Sequence, residues 1–288
     1  MQRESVSLSS EAERVVAANV LVHATMADSY GSEPHWRPEN QAKVDDRLAS
    51  LLPDGRRERA LDVGCGSGFL TTKLAQHFSA VDGVDVTQEM LEHMPITKNI
   101  STQIARAESL PFDDSTFDMV TAYSFLHHLH DPAIVLKEMA RVLRPGGRIY
   151  IDLEPNRAYW DGLENIESNS KLSSKDRSSI VNREIAATLH IEEIVYESFG
   201  IDPNVFIAAE YSKSVTHGFD CNEVKEVLED LGFADVEVNL DWFMGQGVVM
   251  HAQGFDESYA VLKHLQDLRP ASDSLFKYLW LSGELEFE

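Results

Sequence analysis

The stretch LDVGCGSGF (61–69) sets glycines at positions 64, 66 and 68, directly behind the apolar run ALDV (60–63). Three glycines at alternate positions give a backbone that can turn sharply and let another molecule approach closely. A short buried strand, a glycine turn and then a helix is the opening move of a parallel α/β sheet. The chain continues in that rhythm. AVDGVDV (80–86) is a second strand followed by a helix over 88–93, and a third strand covers about 100–105. FDMVTAY (117–123) is a fourth strand with the helix DPAIVLKEMARVL (131–143) behind it, and RPGG turns into a fifth strand, RIYIDL (148–153). Right-handed crossovers between such strands put helices on both faces of the sheet.

Ahead of this core, 9–28 has apolar helical spacing, DSYGSEPHWRPEN (28–40) is a loop, and a helix over 40–52 stops at the Pro-Asp-Gly of 53–55. Residues 156–216 interrupt the alternation with a long, polar, mostly helical insert. NEVKEVLEDLGFADVEVNLDWF (222–243) resumes as helix, glycine turn and strand; GVVMHAQGF (247–255) is expected as its hairpin partner. The expected organisation is an N-terminal helical lid (1–57), a core (58–155 and 217–255), an inserted cap (156–216) and a C-terminal helical segment (256–288).

Two carboxylates narrow what the glycine turn is for. A glycine trio alone also suits a dinucleotide or a plain strand-to-helix turn. Asp62, against the turn, would repel a pyrophosphate and attract an ammonium or sulfonium. Asp85 ends the second strand, where a carboxylate can accept both hydroxyls of a ribose. A nucleoside with a cationic tail and no phosphate satisfies both, and S-adenosylmethionine has that charge layout. The 48 acidic against 25 basic residues give a formal net charge of −23, which makes duplex nucleic acid a poor partner. No run of about 18 apolar residues suggests a membrane span. The polar start MQRESVSLSSEAERVV does not resemble a secretory leader, and two distant cysteines, Cys65 and Cys221, suit a reducing cytoplasm.

LDVGCGSGF, VDGVDVTQEML, ARAESLPFDDSTFDMV, FLHHLHDP and VLRPGGRIYI, in this order and spacing, resemble the class I S-adenosylmethionine-dependent methyltransferases. The small-molecule branch, similar to the ubiquinone-biosynthesis enzymes, is the nearest likeness. The resemblance covers 58–155 well and 217–255 loosely. It implies a Rossmann-like, seven-stranded, mostly parallel α/β sheet of order 3-2-1-4-5-7-6 with an antiparallel last strand. It implies that Asp62 and Gly64-Cys65-Gly66, with Gly68 closing the turn, hold the methionine moiety, and that Asp85 takes the ribose. Val86 and Met90 would lie against the adenine, Ala107 and Glu108 at its edge, and Tyr123, Ser124 and His128 by the sulfonium. One departure stands out: Arg106 occupies a place where the family usually has an acidic residue for the adenine amino group. Either Glu108 substitutes, or packing and backbone hold that end.

The remaining candidates concern the acceptor. His128, Asp152 and Tyr30 are the catalytic candidates, as base, substrate anchor and lid residue. Tyr30 and Arg37 sit in a loop with His35 and Trp36, and an arginine there can pair a carboxylate of cofactor or substrate. Asp152, Glu154 and Asn156 leave the fifth strand toward the crevice; Tyr159, Trp160, Tyr196 and Phe199 can line an apolar pocket under the cap. Adjacent His127 and His128 are poorly placed to aim at one ion, so no metal is expected. The expected activity is in-line methyl transfer to a small-molecule acceptor. Non-methyl use of the same cofactor (aminocarboxypropyl transfer or cyclisation) and a dinucleotide oxidoreductase are the alternatives.

Overall fold

The computed structural model describes residues 10–32, 36–53, 55–169 and 179–286; His35 lies outside them. Helices α1 (Ser10–Met26) and α2 (Pro38–Leu51) precede the core, joined in part by a 3₁₀ turn at Ala27–Ser32. The core runs β1 (Arg59–Val63), α3 (Phe69–Leu74), β2 (Ala80–Asp85), α4 (Gln88–Glu92), β3 (Ile100–Ile104), β4 (Phe117–Tyr123), α5 (Pro132–Val142) and β5 (Leu143–Pro155). Among the described residues, five helices form the insert: α6 (Arg157–Asn169), α7 (Ile180–Thr188), α8 (Ile191–Phe199), α9 (Pro203–Ala209) and α10 (Tyr211–Thr216). The chain then returns through α11 (Cys221–Asp230), β6 (Phe233–Phe243), α12 (Gln246–Gln253), α13 (Phe255–Asp267) and β7 (Phe276–Leu285).

The strands form a seven-stranded sheet of order β3-β2-β1-β4-β5-β7-β6. β1 to β5 pair in parallel, and β7 runs antiparallel between β5 and β6. Side chains alternate between two cores as the pleat requires. Leu61, Val63, Val120, Ala122, Ile149 and Ile151 face α5 and α11, whereas Ala60, Val81, Met119 and Tyr150 face α2 and α3. The helix starts follow local chemistry. Asp131 caps α5 by accepting from the Ala133 N–H at 3.1 Å with Pro132 behind it, and Asp220 caps α11 through the N–H groups of Asn222 and Glu223.

Two expectations at the C-terminal end are corrected. Residues 247–255 are not a strand: they fall in α12 and at the start of α13. The hairpin partner of β6 is FKYLWLSGEL (276–285), within the segment expected to be helical, with Val238 opposite Leu281 and Leu240 opposite Leu279. The physical reason is burial on both faces. β7 lies inside the sheet, and Phe276, Leu279 and Leu281 are wholly buried there.

A buried charge cluster fastens α2 to the far half of the sheet. Arg47 donates to Asp152 on β5 at 2.5 Å and to Asp241 on β6 at 2.9 Å, while its guanidinium lies 4.5 Å from the Trp280 ring centre on β7. Lys43 adds a second cation to Asp241 at 2.7 Å, and the Tyr150 hydroxyl donates to Asp152. Burial alone would raise the Asp241 carboxyl and lower the Arg47 guanidinium; their mutual attraction, with Lys43 and Asp152, holds both firmly charged. Removing one partner strands the others in a dry site. Arg47→Met is expected to cost about 3–5 kcal/mol of unfolding free energy, read from urea denaturation without added ligand; a loss no larger than that of an exposed pair would show the cluster to be solvated.

Candidate functional site

The turn between β1 and α3 carries the glycines, and each is held by a specific neighbour. Gly64 has φ +67°, and a side chain there would meet the Phe125 ring at 2.1 Å. Gly66 has φ +50°, and its N–H donates to Asp85 Oδ2 at 2.9 Å. Asp85 Oδ1 accepts the Thr87 N–H at 2.8 Å. Each Asp85 oxygen thus spends one lone pair on the turns at the carboxyl ends of β1 and β2 and keeps another.

Asp62 stands behind this turn, 1 % exposed, and its oxygens accept the hydroxyls of Thr71 at 2.6 Å and Thr121 at 3.0 Å. Burial pushes its carboxyl up to about 6, with the two threonines opposing. A buried acid satisfied only by neutral donors, two hydroxyls and the Thr71 backbone, suits a cation arriving in front of it. Cys65 is buried too, and desolvation together with Asp62 and Asp85 pushes its thiol up, so it is not an activated nucleophile.

In front of these groups lies a cleft of about 940 Å³, open to solvent. Asp62, Gly64, Cys65, Gly66, Asp85, Val86, Met90, Ala107, Glu108, Tyr123, Ser124, His128 and Tyr30 all line it. The sequence expectations were that these residues meet at one ligand, and the fold brings them to one cavity. Two others do not line it. Gly68 is instead the left-handed N-cap of α3 at φ +93°, where a side chain would strike Met94 Sδ at 2.3 Å. Arg37 is exposed at the N-cap of α2 and lines neither cavity described here.

Sequence reasoning expected a lid over 1–57 but named none of the α1 residues that form it. Ala12, Val15, Val16, Asn19 and His23 of α1 line the cleft. Asn19 Nδ2 donates to the His128 carbonyl at 3.0 Å, and Arg106 makes a two-pronged pair with Glu13 at 2.8 and 2.6 Å. The unusual arginine therefore turns outward and engages α1. The apolar spacing of α1 was visible in sequence, but its partner was not.

A second cavity of about 1620 Å³ adjoins the first, and His23, Tyr30, Tyr123, Ser124 and His128 line both. Its walls come from α2, from the strand ends Asp152, Leu153, Asp241 and Trp242, and from cap residues including Trp160, Ile191, Phe206 and Glu210. Ser124, Leu153 and Trp242 all take left-handed backbone, at φ 53°, 60° and 60°. Such strain concentrates where a surrounding structure over-determines it. Here aspartates do so: Asp152 accepts the Leu153 N–H on its side chain and the Ser124 N–H on its carbonyl, and Asp241 accepts the Trp242 N–H.

The acceptor-side candidates separate accordingly. Asp152 lines the second cavity but is spent on Arg47 and Tyr150, so it is no free base. Glu154 is wholly buried beneath the 3₁₀ turn Leu126–His128, accepting the N–H groups of Phe125, Leu126 and His127 and the His127 ring nitrogen at 2.8 Å. Asn156 donates to the carbonyls of Asp273 and Phe276 and is structural. Of the cap aromatics, Trp160 lines the cavity, Tyr159 is buried with its hydroxyl on Glu184, and Tyr196 and Phe199 lie at the surface.

His128 Nδ1 lies 2.9 Å from the Ala209 carbonyl, which can only accept, so that nitrogen carries the proton and Nε2 keeps a lone pair. Burial, then His127, holds this imidazole well below the ordinary histidine range and hence neutral. Donor atoms of His127, His128 and Glu210 lie within 4.8 Å of one another, a spacing that a cation could use. Lys213 already pairs with Glu210, and the His127 ring nitrogen with Glu154.

Comparison with known proteins agrees with this geometry. The model of a methyltransferase domain family matches residues 61–151. The chain is 34 % identical over 119 residues to the 27-O-demethylrifamycin SV methyltransferase of Amycolatopsis mediterranei, covering 38 % of this chain and 44 % of that one. It is 35 % identical over 98 residues to a ubiquinone biosynthesis O-methyltransferase of Coxiella burnetii, covering 32 % and 42 %. The match thus spans less than half the length of these curated relatives. In fold, phosphoethanolamine N-methyltransferase 2 of Haemonchus contortus superposes with a TM-score of 0.56 at 15 % identity, over 97 % of this chain and 61 % of that one. Residues 61–151 thus carry the similarity to a methyltransferase domain, on a sheet whose strand order is the one the resemblance to class I S-adenosylmethionine-dependent methyltransferases implies.

Proposed function

We propose that the protein is an S-adenosylmethionine-dependent methyltransferase acting on a small molecule. One observation carries this reading: the cleft of the glycine turn and the larger cavity share a wall of five residues, so two ligands can meet there. The residues fit the cofactor. Asp85 has spare acceptor capacity for ribose hydroxyls, Val86 and Met90 supply an apolar floor, and Asp62 is a buried acid awaiting a cation. When bound, S-adenosylmethionine supplies an electrophilic methyl on a sulfonium, which needs no covalent enzyme intermediate.

The chain's own contribution is alignment and exclusion of water. α1 covers one side of the junction, and the cap covers the acceptor side. Tyr30 and His128 touch both cavities, and His128 presents an unprotonated Nε2 that can accept the acceptor's proton. Asp152 acts at one remove, by holding Arg47 and the strained Ser124 and Leu153 in place. Two free thiols, Cys65 and Cys221, support a cytoplasmic setting. Among the described residues no helix is long and apolar enough to cross a membrane.

Product analysis tests the reaction class: S-adenosylhomocysteine is expected on turnover, whereas methylthioadenosine would establish transfer of another group. Asp85→Ala is expected to weaken S-adenosylmethionine binding by about 1–3 kcal/mol, measured by calorimetry; an unchanged dissociation constant would remove Asp85 from the site. Affinity is also expected to depend on pH through Asp62. With its carboxyl at about 6, only about one-tenth is ionised at pH 5 and nearly all at pH 7. Binding of the cation should therefore tighten about tenfold between these pH values and level off above. Asp62→Asn should flatten that slope, and an equally steep slope in the variant would assign it elsewhere.

A further inference from the structure

The second cavity contains four cationic side chains, and three of them are matched. Lys43 sits 2.7 Å from Asp241, Arg47 bridges Asp152 and Asp241, and Lys213 pairs with Glu210. Lys277, on β7, differs. Its side chain is 13 % exposed, and its Nζ has Glu184 Oε2 4.0 Å away and the Tyr278 ring centre 5.7 Å away. Glu184 is occupied elsewhere, accepting the Tyr159 hydroxyl at 2.8 Å and the Gly245 N–H at 3.3 Å. Among the described residues, none accepts a hydrogen bond from Lys277. An ammonium this buried, with no hydrogen-bond acceptor, carries a desolvation cost that a long ion pair and a ring face offset only in part.

We infer that Lys277 is the recognition point for a carboxylate on the acceptor substrate. It lies in the wall of the cavity beside Tyr278, with Trp160 6.4 Å from that tyrosine between ring centres, and Trp242 on the same cavity. The surroundings thus offer flat apolar faces next to one unsatisfied cation. A single ammonium with a carboxylate 4.0 Å behind it suits a monoanion; a phosphate dianion would meet repulsion from Glu184 that one lysine offsets poorly. The chemical class is therefore a planar, mainly apolar molecule bearing a carboxylate at one end and its nucleophilic atom toward the wall shared with the first cleft. Burial pulls the Lys277 ammonium below the ordinary lysine range, with Glu184 opposing, and an arriving carboxylate would reverse that shift. The inference rests on reading this cavity as the acceptor's, but the binding of a carboxylate at Lys277 does not depend on methyl transfer.

Thermal unfolding of the full chain, with no methyl donor present, tests it. In the absence of ligand, Lys277→Met is expected to melt higher than the wild type, because an unmatched buried charge is replaced by an apolar chain of similar length. A lower melting temperature would mean that the Glu184 contact is a working ion pair, and would overturn the inference. Benzoate, benzamide and phenyl phosphate are then added as probes. Benzoate should raise the wild-type melting temperature and leave Lys277→Met unmoved; the uncharged benzamide and the dianionic phenyl phosphate should do less. No response of the wild type to benzoate, or an equal response of the variant, would overturn the proposal. A larger response to phenyl phosphate would overturn the choice of a monoanion. Failure of methyl transfer with benzoate responses intact would count against the proposed reaction and leave the anion site standing.

Discussion

Strand β1 is flanked by β2 on one side and β4 on the other, and the chain leaves it in both directions. That reversal opens the crevice at the carboxyl ends of these strands, because successive crossovers pass to opposite faces. Everything at the site hangs on the backbone that bridges it. Asp62 ties β1 to α3 through Thr71 and to β4 through Thr121, and Asp85 ties β2 back to the turn through Gly66. Two carboxylates brace the turn from within, and both remain available to a ligand in front of it. The same groups that shape the turn are the ones that distinguish a cationic ligand from a phosphate.

The roof depends on contacts made far apart in the chain. α1 packs Ala18 and Val22 against Val195, Ile201, Phe206 and Ala209 of the cap, so lid and insert form one apolar body over the junction. The Arg106–Glu13 pair is exposed and contributes little energy by itself. Its value is positional: it ties the first turn of α1 to the Arg106–Glu108 stretch at the edge of the cleft. Arg106, at a position where the resemblance leads one to expect an acid, thus engages the lid.

The acceptor cavity shows the opposite economy. Ser124, Leu153 and Trp242 are held in left-handed backbone at a cost of about 1–3 kcal/mol each. The Asp152 and Asp241 carboxylates that hold Leu153 and Trp242 are both paired with Arg47. One guanidinium from α2 therefore supports the shape of two strand ends. Asp152 illustrates the consequence: a carboxylate at the mouth of a strand has the composition of a base, but its lone pairs are already committed to Arg47, Tyr150 and Leu153.

Local pattern in the sequence determined much of this protein. The glycine spacing, the period of the five parallel strands and the two aspartates follow from short stretches whose chemistry is self-contained, and they were enough to define the cofactor cleft. Gly68 belongs to the same turn by sequence, yet serves α3 and Met94, because alternate glycines in one loop face different neighbours. Position 276–285 became a strand, and 247–255 a helix, because the slot between β5 and β6 requires a segment apolar on both faces. The roof over the cleft, the commitment of Asp152, the outward turn of Arg106 and the isolation of Lys277 were decided by tertiary structure alone. Each rests on pairing between residues dozens to hundreds of positions apart, and a side chain's type does not state which partner will reach it first.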